Sequence, residues 1–324
     1  MDSMSAYSLV IPVYRNADSI PQLVEACEAL SAQLDQGLEV VFVVDGSPDS
    51  SYQLLEGALP SARFHSQLVL LSRNFGSFSA IREGLRAANG QFLAVMAADL
   101  QEPPDLVLSF FQVLSHEPVD LVLGTRTARA DPLLSRAASS AFWWVYRRVI
   151  EPAMPRGGVD VFGCNRPFRD RLLSLPESNS SLVGLLFWLG YRRKLIPYAR
   201  QPRLVGQSGW TIKKKVKYLF DSLFAFSDLP IRLLAFFGAL GLLFSSILSI
   251  VVVVARVLGL VTVPGYAATV LVVAFFGALN SFGLGVIGSY VWRTFENTKA
   301  RPLAIVMTTQ QFSGRASALL EKVS

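Results

Sequence analysis

Residues 91–104 read QFLAVMAADLQEPP, and the order of apolar, acidic and proline residues in this segment predicts a strand, a loop and a helix. Its apolar first half follows Gly90 and is typical of a buried parallel strand, while the proline pair at 103–104 predicts the start of a helix. Asp99 would then emerge at the carboxyl end of a strand, where open α/β sheets bind their ligands. Oxygen ligands there suit a divalent cation that bridges phosphates, although an ordinary turn would have the same sequence.

Strand and helix patterns alternate over the first 125 residues. Helical patterns, including 20–34 and 78–88, separate short runs that are rich in Val, Leu and Phe. Strands that alternate with helices form parallel sheets with helices on both faces. We therefore predict an α/β, Rossmann-like, mostly parallel sheet with its chemistry in the loops at the strand ends. The predicted strands are 8–13, 39–44, 67–71, 92–96 and 120–124.

Two long segments without charged residues follow, at 233–255 and 257–292. The first has 23 residues. As a helix it would extend about 35 Å, enough to cross a hydrocarbon core of about 30 Å. Val263-Pro264-Gly265 divides the second segment and places the second span at about 267–290. A buried hairpin of core helices is the alternative.

Basic residues surround these two segments. Residues 206–324 carry 11 Lys or Arg and 4 Asp or Glu, against 19 and 20 in residues 1–205. Lysines within 213–217 precede the first span, and Arg293 and Lys299 follow the second. The positive-inside rule then predicts a multi-pass protein with both long ends in the cytoplasm. The basic excess suits anionic lipid, and we expect no nucleic-acid partner.

The segment 211–230 joins the two parts of the chain. It mixes lysines with Tyr and Phe, which is typical of a helix lying at a membrane surface, although a helix packed on the preceding domain would look the same. We predict four units: a cytoplasmic α/β domain (1–210), an amphipathic juxtamembrane helix (211–230), a transmembrane hairpin (231–292) and a cytoplasmic tail (293–324).

Cysteine and histidine are scarce. Cys27 and Cys164 are far apart in sequence, and His65 and His116 are isolated. We therefore expect no disulfide framework, no zinc site and no histidine-centred catalytic triad.

Four segments form a recognisable pattern: SLVIPVYRN at 8–16, VDGSPD at 44–49, LSRNFG at 71–76 and ADLQEPP at 98–104. In this order and at these spacings they resemble the family 2 inverting glycosyltransferases with a GT-A fold. More narrowly, the chain resembles the polyisoprenyl-phosphate glycosyltransferases, relatives of dolichol-phosphate mannose synthase, in the bacterial subgroup that ends in a membrane hairpin.

This resemblance implies an activity and its partners. A sugar would pass from a UDP- or GDP-linked nucleotide sugar to a polyisoprenyl phosphate of the undecaprenyl type. The reaction would take place at the cytoplasmic face of a bacterial inner membrane and feed glycan or envelope modification. The protein would be a homo-oligomer, with the tetramer as one form.

The resemblance also implies a donor site with Mg²⁺ or Mn²⁺ at Asp99, supported by the amide of Gln101. The cation would stabilise the diphosphate leaving group. Family members usually have a second Asp two positions earlier, where this chain has Ala97. The remaining nucleotide-sugar candidates are Pro12, Tyr14, Asp45, Arg73, Asn74 and Ala98. For Asp45 an ordinary turn is the alternative, and for Arg73 and Asn74 it is plain structural bonding.

On the acceptor side, the resemblance assigns Arg126 to the lipid phosphate, and Arg136 is the second candidate because guanidinium groups suit phosphate. Asp160 matches the acidic residue that the family has near the reacting centre. Because a phosphomonoester is already largely dianionic at neutral pH, we favour Asp160 as an orienting group over a general base. Gln207 and Ser208 lie either in a donor-contacting loop or in a linker.

Two other functions stay open on the sequence. A glycan-extending membrane glycosyltransferase usually has more spans and a Gln-x-x-Arg-Trp motif, but residues 207–210 read QSGW. A non-catalytic membrane scaffold is suggested by Ala97 and by Val44, where family members commonly have Asp or Asn. The presence of Asp99 and Arg126 argues against such a scaffold.

Overall fold

The computed structural model describes residues 6–126, 144, 146–148, 151–155, 158–177, 180–201, 220–259 and 265–314. Its strands are β1 (Tyr7–Val13), β2 (Leu38–Val44), β3 (His65–Leu71), β4 (Phe92–Val95), β5 (Leu121–Arg126), β6 (Val159–Asn165), β7 (Arg193–Tyr198) and β8 (Val306–Phe312). Its longer helices are α1 (Ile20–Ser31), α2 (Ser51–Ala58), α3 (Ser77–Ala87), α4 (Pro104–His116), α5 (Arg166–Leu173), α6 (Leu182–Trp188), α7 (Leu229–Val257) and α8 (Tyr266–Thr298).

Within the described residues the strands form one sheet, in the order β7-β5-β6-β4-β1-β2-β3-β8. β1 is parallel to β2 and β4, β2 is parallel to β3, and β5 is parallel to β7. β6 and β8 run antiparallel to their neighbours. The predicted α/β fold with a mostly parallel sheet is confirmed, and the first five predicted strands agree with β1 to β5 within two residues at each end.

Both faces of the sheet are covered by helices, as predicted. In β2, Val40 and Phe42 belong to the core cluster that includes α1, α2 and α4. Val41 and Val43 belong to the cluster on the other face, with α3, α5 and α6. Every residue of β2 is buried, which explains why a parallel strand of this kind has a nearly continuous apolar sequence.

The segment after α8 returns to the sheet. β8 pairs with β3, with Thr309 opposite Val69, and the N–H of Ser72 donates to the carbonyl oxygen of Ile305 (2.9 Å). The sequence predicts a separate tail at 293–324, but residues 306–312 complete the α/β sheet instead. The sequence VMTTQQF alternates between exposed and half-buried positions and carries too little apolar signal to predict a strand of the core.

Helices α7 and α8 contain the two uncharged segments and are long and apolar enough to cross a membrane. They pack antiparallel, because Cβ atoms built at Gly241 and Gly283 would contact Phe276 and Leu234 respectively. Their outer faces are apolar and exposed, as at Phe236, which is 61% exposed. Such a large exposed apolar surface is typical of a segment that contacts lipid.

The base of this hairpin contacts the α/β domain. Residues 220–226 are helical, and a Cβ at Gly184 of α6 would lie 2.4 Å from the Phe226 ring. Arg293 of α8 forms an ion pair with Asp221 (2.7 Å). Residues 211–219 of the predicted amphipathic helix lie outside the described residues.

A shortened chain tests the role of β8. Deleting residues 302–324 would leave the edge of β3 without a partner and remove the Ser72–Ile305 hydrogen bond. We expect a loss of about 3 kcal/mol or more from the missing ladder bonds. That corresponds to a drop of roughly 6–12 °C in Tm, measured by thermal unfolding of the detergent-purified protein. A chain that ends at Gly314 is the control and should match the full-length Tm. An equal Tm for both shortened chains would contradict the prediction.

Candidate active site

The candidate site is formed by four turns at one edge of the sheet. They follow the carboxyl ends of β1, β2, β3 and β4. These four strands are adjacent in the sheet, in the order β4-β1-β2-β3. Side chains of each turn bind the main chain of the next, so that the turns form one connected row. We call them the β1, β2, β3 and β4 turns.

Asp45 joins the β2 turn to the β3 turn. It is 2% exposed, and its two carboxylate oxygens accept hydrogen bonds from the N–H groups of Phe75 (2.7 Å) and Gly76 (2.8 Å). Burial raises the pKa of Asp45 above its usual range, and these two bonds and the charge of Arg73 partly offset that effect. The turns are in close contact, since a Cβ at Gly46 (φ +55°) would lie 2.3 Å from the Arg73 carbonyl carbon.

Asp49 joins the β2 turn to the β1 turn. Its carboxylate accepts hydrogen bonds from Ala17 N–H (3.1 Å) and from the Ser47 hydroxyl (2.6 Å). Ser47 Oγ in turn accepts a hydrogen bond from Arg15 N–H (2.7 Å). Burial raises the pKa of Asp49, but the hydrogen bonds that its carboxylate accepts, including those from Ser51, outweigh this effect. The pKa of Asp49 is therefore below its usual value. Arg15 itself has φ +56°, a strained conformation for a non-glycine residue.

Ser19 joins the β1 turn to the β4 turn, where Asp99 lies. Its hydroxyl lies 3.0 Å from the carbonyl oxygens of both Asn16 and Ala98. Asp99 Oδ1 accepts a hydrogen bond from the N–H of Gln101 (3.3 Å). The carboxylate that the sequence predicts as the metal ligand therefore belongs to the same connected row as Asp45.

The surface of this row carries exposed cationic and aromatic groups. Tyr14 is 39% exposed, and the Arg15 guanidinium lies 5.5 Å from its ring centroid. The Arg73 guanidinium lies 4.0 Å from the ring centroid of Phe75. Among the predicted donor residues, Asn74 is exposed and Ala98 is buried. Pro12 is the last residue but one of β1, beyond the ladder of this strand with β4. Such a surface can bind a nucleoside ring and phosphates.

The main-chain N–H of Gln101 bonds to Asp99, while its side chain bonds to the segment that follows β7, and support of the metal by its amide stays a prediction. The Gln101 side chain accepts a hydrogen bond from Arg200 (2.6 Å) and donates one to the carbonyl oxygen of Gln201 (3.2 Å). The chain that follows β7 is thus attached to the β4 turn, a contact that was not predicted from the sequence.

On the acceptor side, Arg126 ends β5, where it is half-buried and lies opposite Tyr198 in the parallel ladder with β7. Asp160 is the second residue of β6, whose amino-terminal end lies at the carboxyl end of β4 because the two strands are antiparallel. The side chain of Asp160 lies outside what the structure describes, as do Arg136, Gln207 and Ser208 entirely.

The residues that tie the turns together were not predicted. Asp49 and Arg15 lie within the motifs at 44–49 and 8–16 without a predicted role, and Ser19 and Arg200 lie outside the four motifs. A Ser-Pro-Asp turn is a general signal for Asp49, since Asp side chains commonly bind nearby N–H groups. Arg200 carries no comparable signal, because its partner Gln101 lies 99 positions away.

The described residues contain no group of three or more His, Cys, Asp or Glu side chains able to hold a metal ion by themselves. Asp99 offers one carboxylate at the strand end. Mg²⁺ is commonly held by one or two carboxylates together with substrate phosphates. The donor set therefore fits a cation that binds together with a phosphate-bearing ligand.

An open α/β sheet with an acidic turn and cationic side chains at its carboxyl edge is typical of enzymes that bind nucleotides. The comparisons specify the family. Residues 8–174 match the profile of Glycosyl transferase family 2. This chain belongs to that family and is a glycosyltransferase.

Two relatives match almost the full length. An uncharacterized glycosyltransferase of Synechocystis sp. is 33% identical over 92% of this chain and 94% of its own. The undecaprenyl-phosphate 4-deoxy-4-formamido-L-arabinose transferase of Yersinia enterocolitica is 30% identical over 93% of this chain and 92% of its own. Among solved structures, a glucosyl-3-phosphoglycerate synthase of Mycobacterium tuberculosis with Mn²⁺, UDP-glucose and phosphoglyceric acid has a TM-score of 0.48 and 16% identity, covering 68% of this chain and 79% of its own.

Proposed function

We propose that this glycosyltransferase transfers a sugar, with inversion, from a nucleotide sugar to a polyisoprenyl phosphate of the undecaprenyl type at the cytoplasmic face of a bacterial membrane. One observation carries the proposal: the sheet that bears the row of turns also contains β8, the strand that directly follows the apolar hairpin. A site for a phosphate-bearing donor is thereby held beside a segment suited to lipid.

On the donor side, the proposal rests on Asp99 and on the cationic surface of the β1 and β3 turns. Asp99 would hold Mg²⁺ or Mn²⁺ together with the donor diphosphate, and the cation would stabilise the charge that develops on the leaving nucleoside diphosphate. Arg15 and Arg73 are exposed beside this edge and can bind phosphate or ribose oxygens.

On the acceptor side, Arg126 would bind the lipid phosphate. An oxygen of that phosphate attacks the anomeric carbon of the sugar, and the bond from this carbon to the nucleoside diphosphate breaks, with the electron pair leaving on the diphosphate. The phosphate is largely dianionic at neutral pH and needs no base to remove a proton. Asp160 is therefore proposed to orient the acceptor or the sugar.

The location is supported by topology and charge. Because residues 220–226 and β8 both contact the α/β domain, the start of α7 and the end of α8 belong on the same side of the membrane. Lysines within 213–217 and Arg293 cluster at these ends, which favours the cytoplasmic side. An open groove of about 520 Å³ beside Arg293 offers apolar surface to a lipid chain; it is lined by Phe220, Phe224, Gly285, Gly288, Ser289, Trp292 and Arg293.

The relatives favour the same acceptor. The Yersinia enterocolitica relative is named for transfer to undecaprenyl phosphate, and it matches this chain along both the sheet and the hairpin.

The test is a transfer assay with the purified full chain in detergent. The protein is incubated with undecaprenyl phosphate, Mn²⁺ or Mg²⁺, and a panel of UDP- and GDP-linked sugars, and the lipid product is detected by mass spectrometry. We expect one donor to give a lipid-phosphate sugar with the anomeric configuration inverted. Transfer to a glycan acceptor but not to the lipid would overturn the proposal.

Restoring the second carboxylate tests the metal site. Ala97→Asp should lower the Mn²⁺ concentration for half-maximal activity by about tenfold or more, because a second oxygen ligand can bind the same cation. The control is Ala97→Asn, which adds similar volume without the charge and should leave the midpoint near that of the wild type. If both variants have the wild-type midpoint in a metal titration, residue 97 does not face the cation.

A further inference from the structure

The chain that leaves β7 returns to the β4 turn. The N–H of Gln201 donates to the carbonyl oxygen of Gln101 (2.9 Å), and the Gln101 side-chain amide donates to the carbonyl oxygen of Gln201 (3.2 Å). Arg200 adds a hydrogen bond to Gln101 Oε1 (2.6 Å). Because β5 and β6 lie between β7 and β4 in the sheet, this segment joins two strands that are not neighbours.

A buried carboxylate fixes Arg200 in this position. The Glu102 side chain is only 2% exposed, and its Oε1 lies 3.6 Å from Arg200 Nε. A buried carboxylate is strongly destabilising unless a cation or hydrogen-bond donors compensate its charge. The charge of Glu102 therefore stabilises Arg200 in its position at the β4 turn. We call the four residues Gln101, Glu102, Arg200 and Gln201 the turn clamp.

The β4 turn needs contacts of this kind. Leu100 has φ +52°, in the left-handed region that non-glycine residues rarely adopt. Strained backbone of this type persists only where the surrounding structure holds it. Leu100 lies between Asp99 and Gln101, so the clamp contacts the turn directly after its strained residue.

The clamp also reaches the acceptor side. Tyr198 lies opposite Arg126 in the β5–β7 ladder and is two residues before Arg200. Asp99, on the donor side, is two residues before Gln101. The turn clamp thus connects Asp99, the proposed metal ligand, with Arg126, the proposed acceptor contact. The connection runs through the Arg200–Gln101 hydrogen bond and the β5–β7 ladder.

We propose that Gln101, Glu102 and Arg200 are positioning residues that fix the Asp99 turn relative to Arg126. This inference rests on the proposed function, since it takes Arg126 as the contact for the acceptor phosphate. The clamp residues act on the alignment of the two substrates. Loss of alignment lowers kcat and leaves both KM values nearly unchanged, because a displacement of about 1 Å can cost about 10²-fold in rate.

The test compares Arg200→Met with Arg192→Met. Arg192 makes an arginine–carboxylate ion pair at the opposite end of β7, with Asp120 (2.9 and 3.0 Å) just before β5. Each variant loses one arginine–carboxylate pair. We expect kcat of Arg200→Met to fall by about tenfold or more with both KM values changed by less than about threefold. The kcat of Arg192→Met should stay within about twofold of the wild type, since that pair lies away from the turns.

A double variant separates positioning from folding. Glu102→Gln/Arg200→Met removes the buried carboxylate charge together with its Arg200 partner, so its Tm should exceed that of the single variant, which keeps this charge after losing Arg200, while kcat stays low. Recovery of kcat together with Tm would overturn the proposal. Equal kcat values for Arg200→Met and Arg192→Met, or a rise of about tenfold in the donor KM of Arg200→Met, would also overturn it.

Different results would contradict the role of the turn clamp and the proposed function. If the wild-type protein transfers no sugar to undecaprenyl phosphate, the proposed acceptor is wrong. The same variants are then compared in donor hydrolysis, the transfer of the sugar to water, which needs the Asp99 turn but no lipid. Because the clamp also holds the strained turn that carries Asp99, a lower hydrolysis rate in Arg200→Met than in Arg192→Met supports the clamp, and equal rates overturn it.

Discussion

Asp99→Asn should lower the rate of sugar transfer by about 10²- to 10³-fold while leaving the fold intact. Asp99 is the carboxylate on which the proposed metal site depends, because position 97 is alanine. Asparagine keeps the side-chain size, and its oxygen can still accept the hydrogen bond from Gln101 N–H. The variant therefore removes the negative charge and preserves the β4 turn.

The measurement is kcat at saturating donor, lipid and Mn²⁺, together with the Tm of the purified protein. Asp105→Asn is the matched control, since Asp105 is an exposed carboxylate in the first turn of α4, six positions further on. Its kcat should stay near that of the wild type. Turnover of Asp99→Asn within about threefold of the control would show that Asp99 does not hold the cation.

The first five strands could be predicted because their signal is local. Strands β1 and β2 are central and covered on both faces, so that their sequences are nearly continuous apolar runs. The two long apolar helices could be predicted for a similar reason, since nothing polar interrupts them over the length that a membrane requires. Length and composition suffice for such elements.

The antiparallel edge strand β8 could not be predicted, because its own sequence has a weak apolar signal and its partner is remote in sequence. β8 pairs with β3 across more than 230 positions, and the hairpin lies between them. Its alternating exposure leaves few apolar residues, and a polar edge strand looks like a tail. A catalytic domain cut from the chain before α7 would therefore lack one edge of its sheet, including the partner of Ser72 beside the β3 turn.

The site was predictable in its position and less so in its roles. The motifs correctly indicate that Asp45 and Asp99 lie at the same edge of the sheet. Sequence alone could not show that both oxygens of Asp45 accept main-chain hydrogen bonds from the β3 turn, since this depends on how closely Gly46 approaches Arg73. Asp45 thus has a structural role, which is to hold the β3 turn. A contact between Asp45 and the donor would be a second role.

Arg126→Ala should lower kcat/KM for the lipid phosphate by about 10²-fold and change the donor KM by less than about threefold. Truncating one member of a buried charge pair costs about 2–5 kcal/mol, and about 1.4 kcal/mol corresponds to a factor of ten. Arg126 is half-buried at the end of β5, which favours a contact that is partly shielded from water. Arg126→Lys keeps the charge without the two-pronged geometry and should have an intermediate effect.

The control for this prediction is Arg193→Ala. Arg193 lies at the opposite end of the same pair of strands, opposite Leu121, and is exposed. Both variants are assayed by varying donor and acceptor separately, once with full-length undecaprenyl phosphate and once with a short soluble isoprenyl phosphate. A parallel loss on both acceptors would establish that Arg126 binds the phosphate head group, whereas a loss on the long lipid alone would indicate that it docks the chain. A rise in the donor KM with an unchanged acceptor KM would assign Arg126 to the diphosphate of the donor instead.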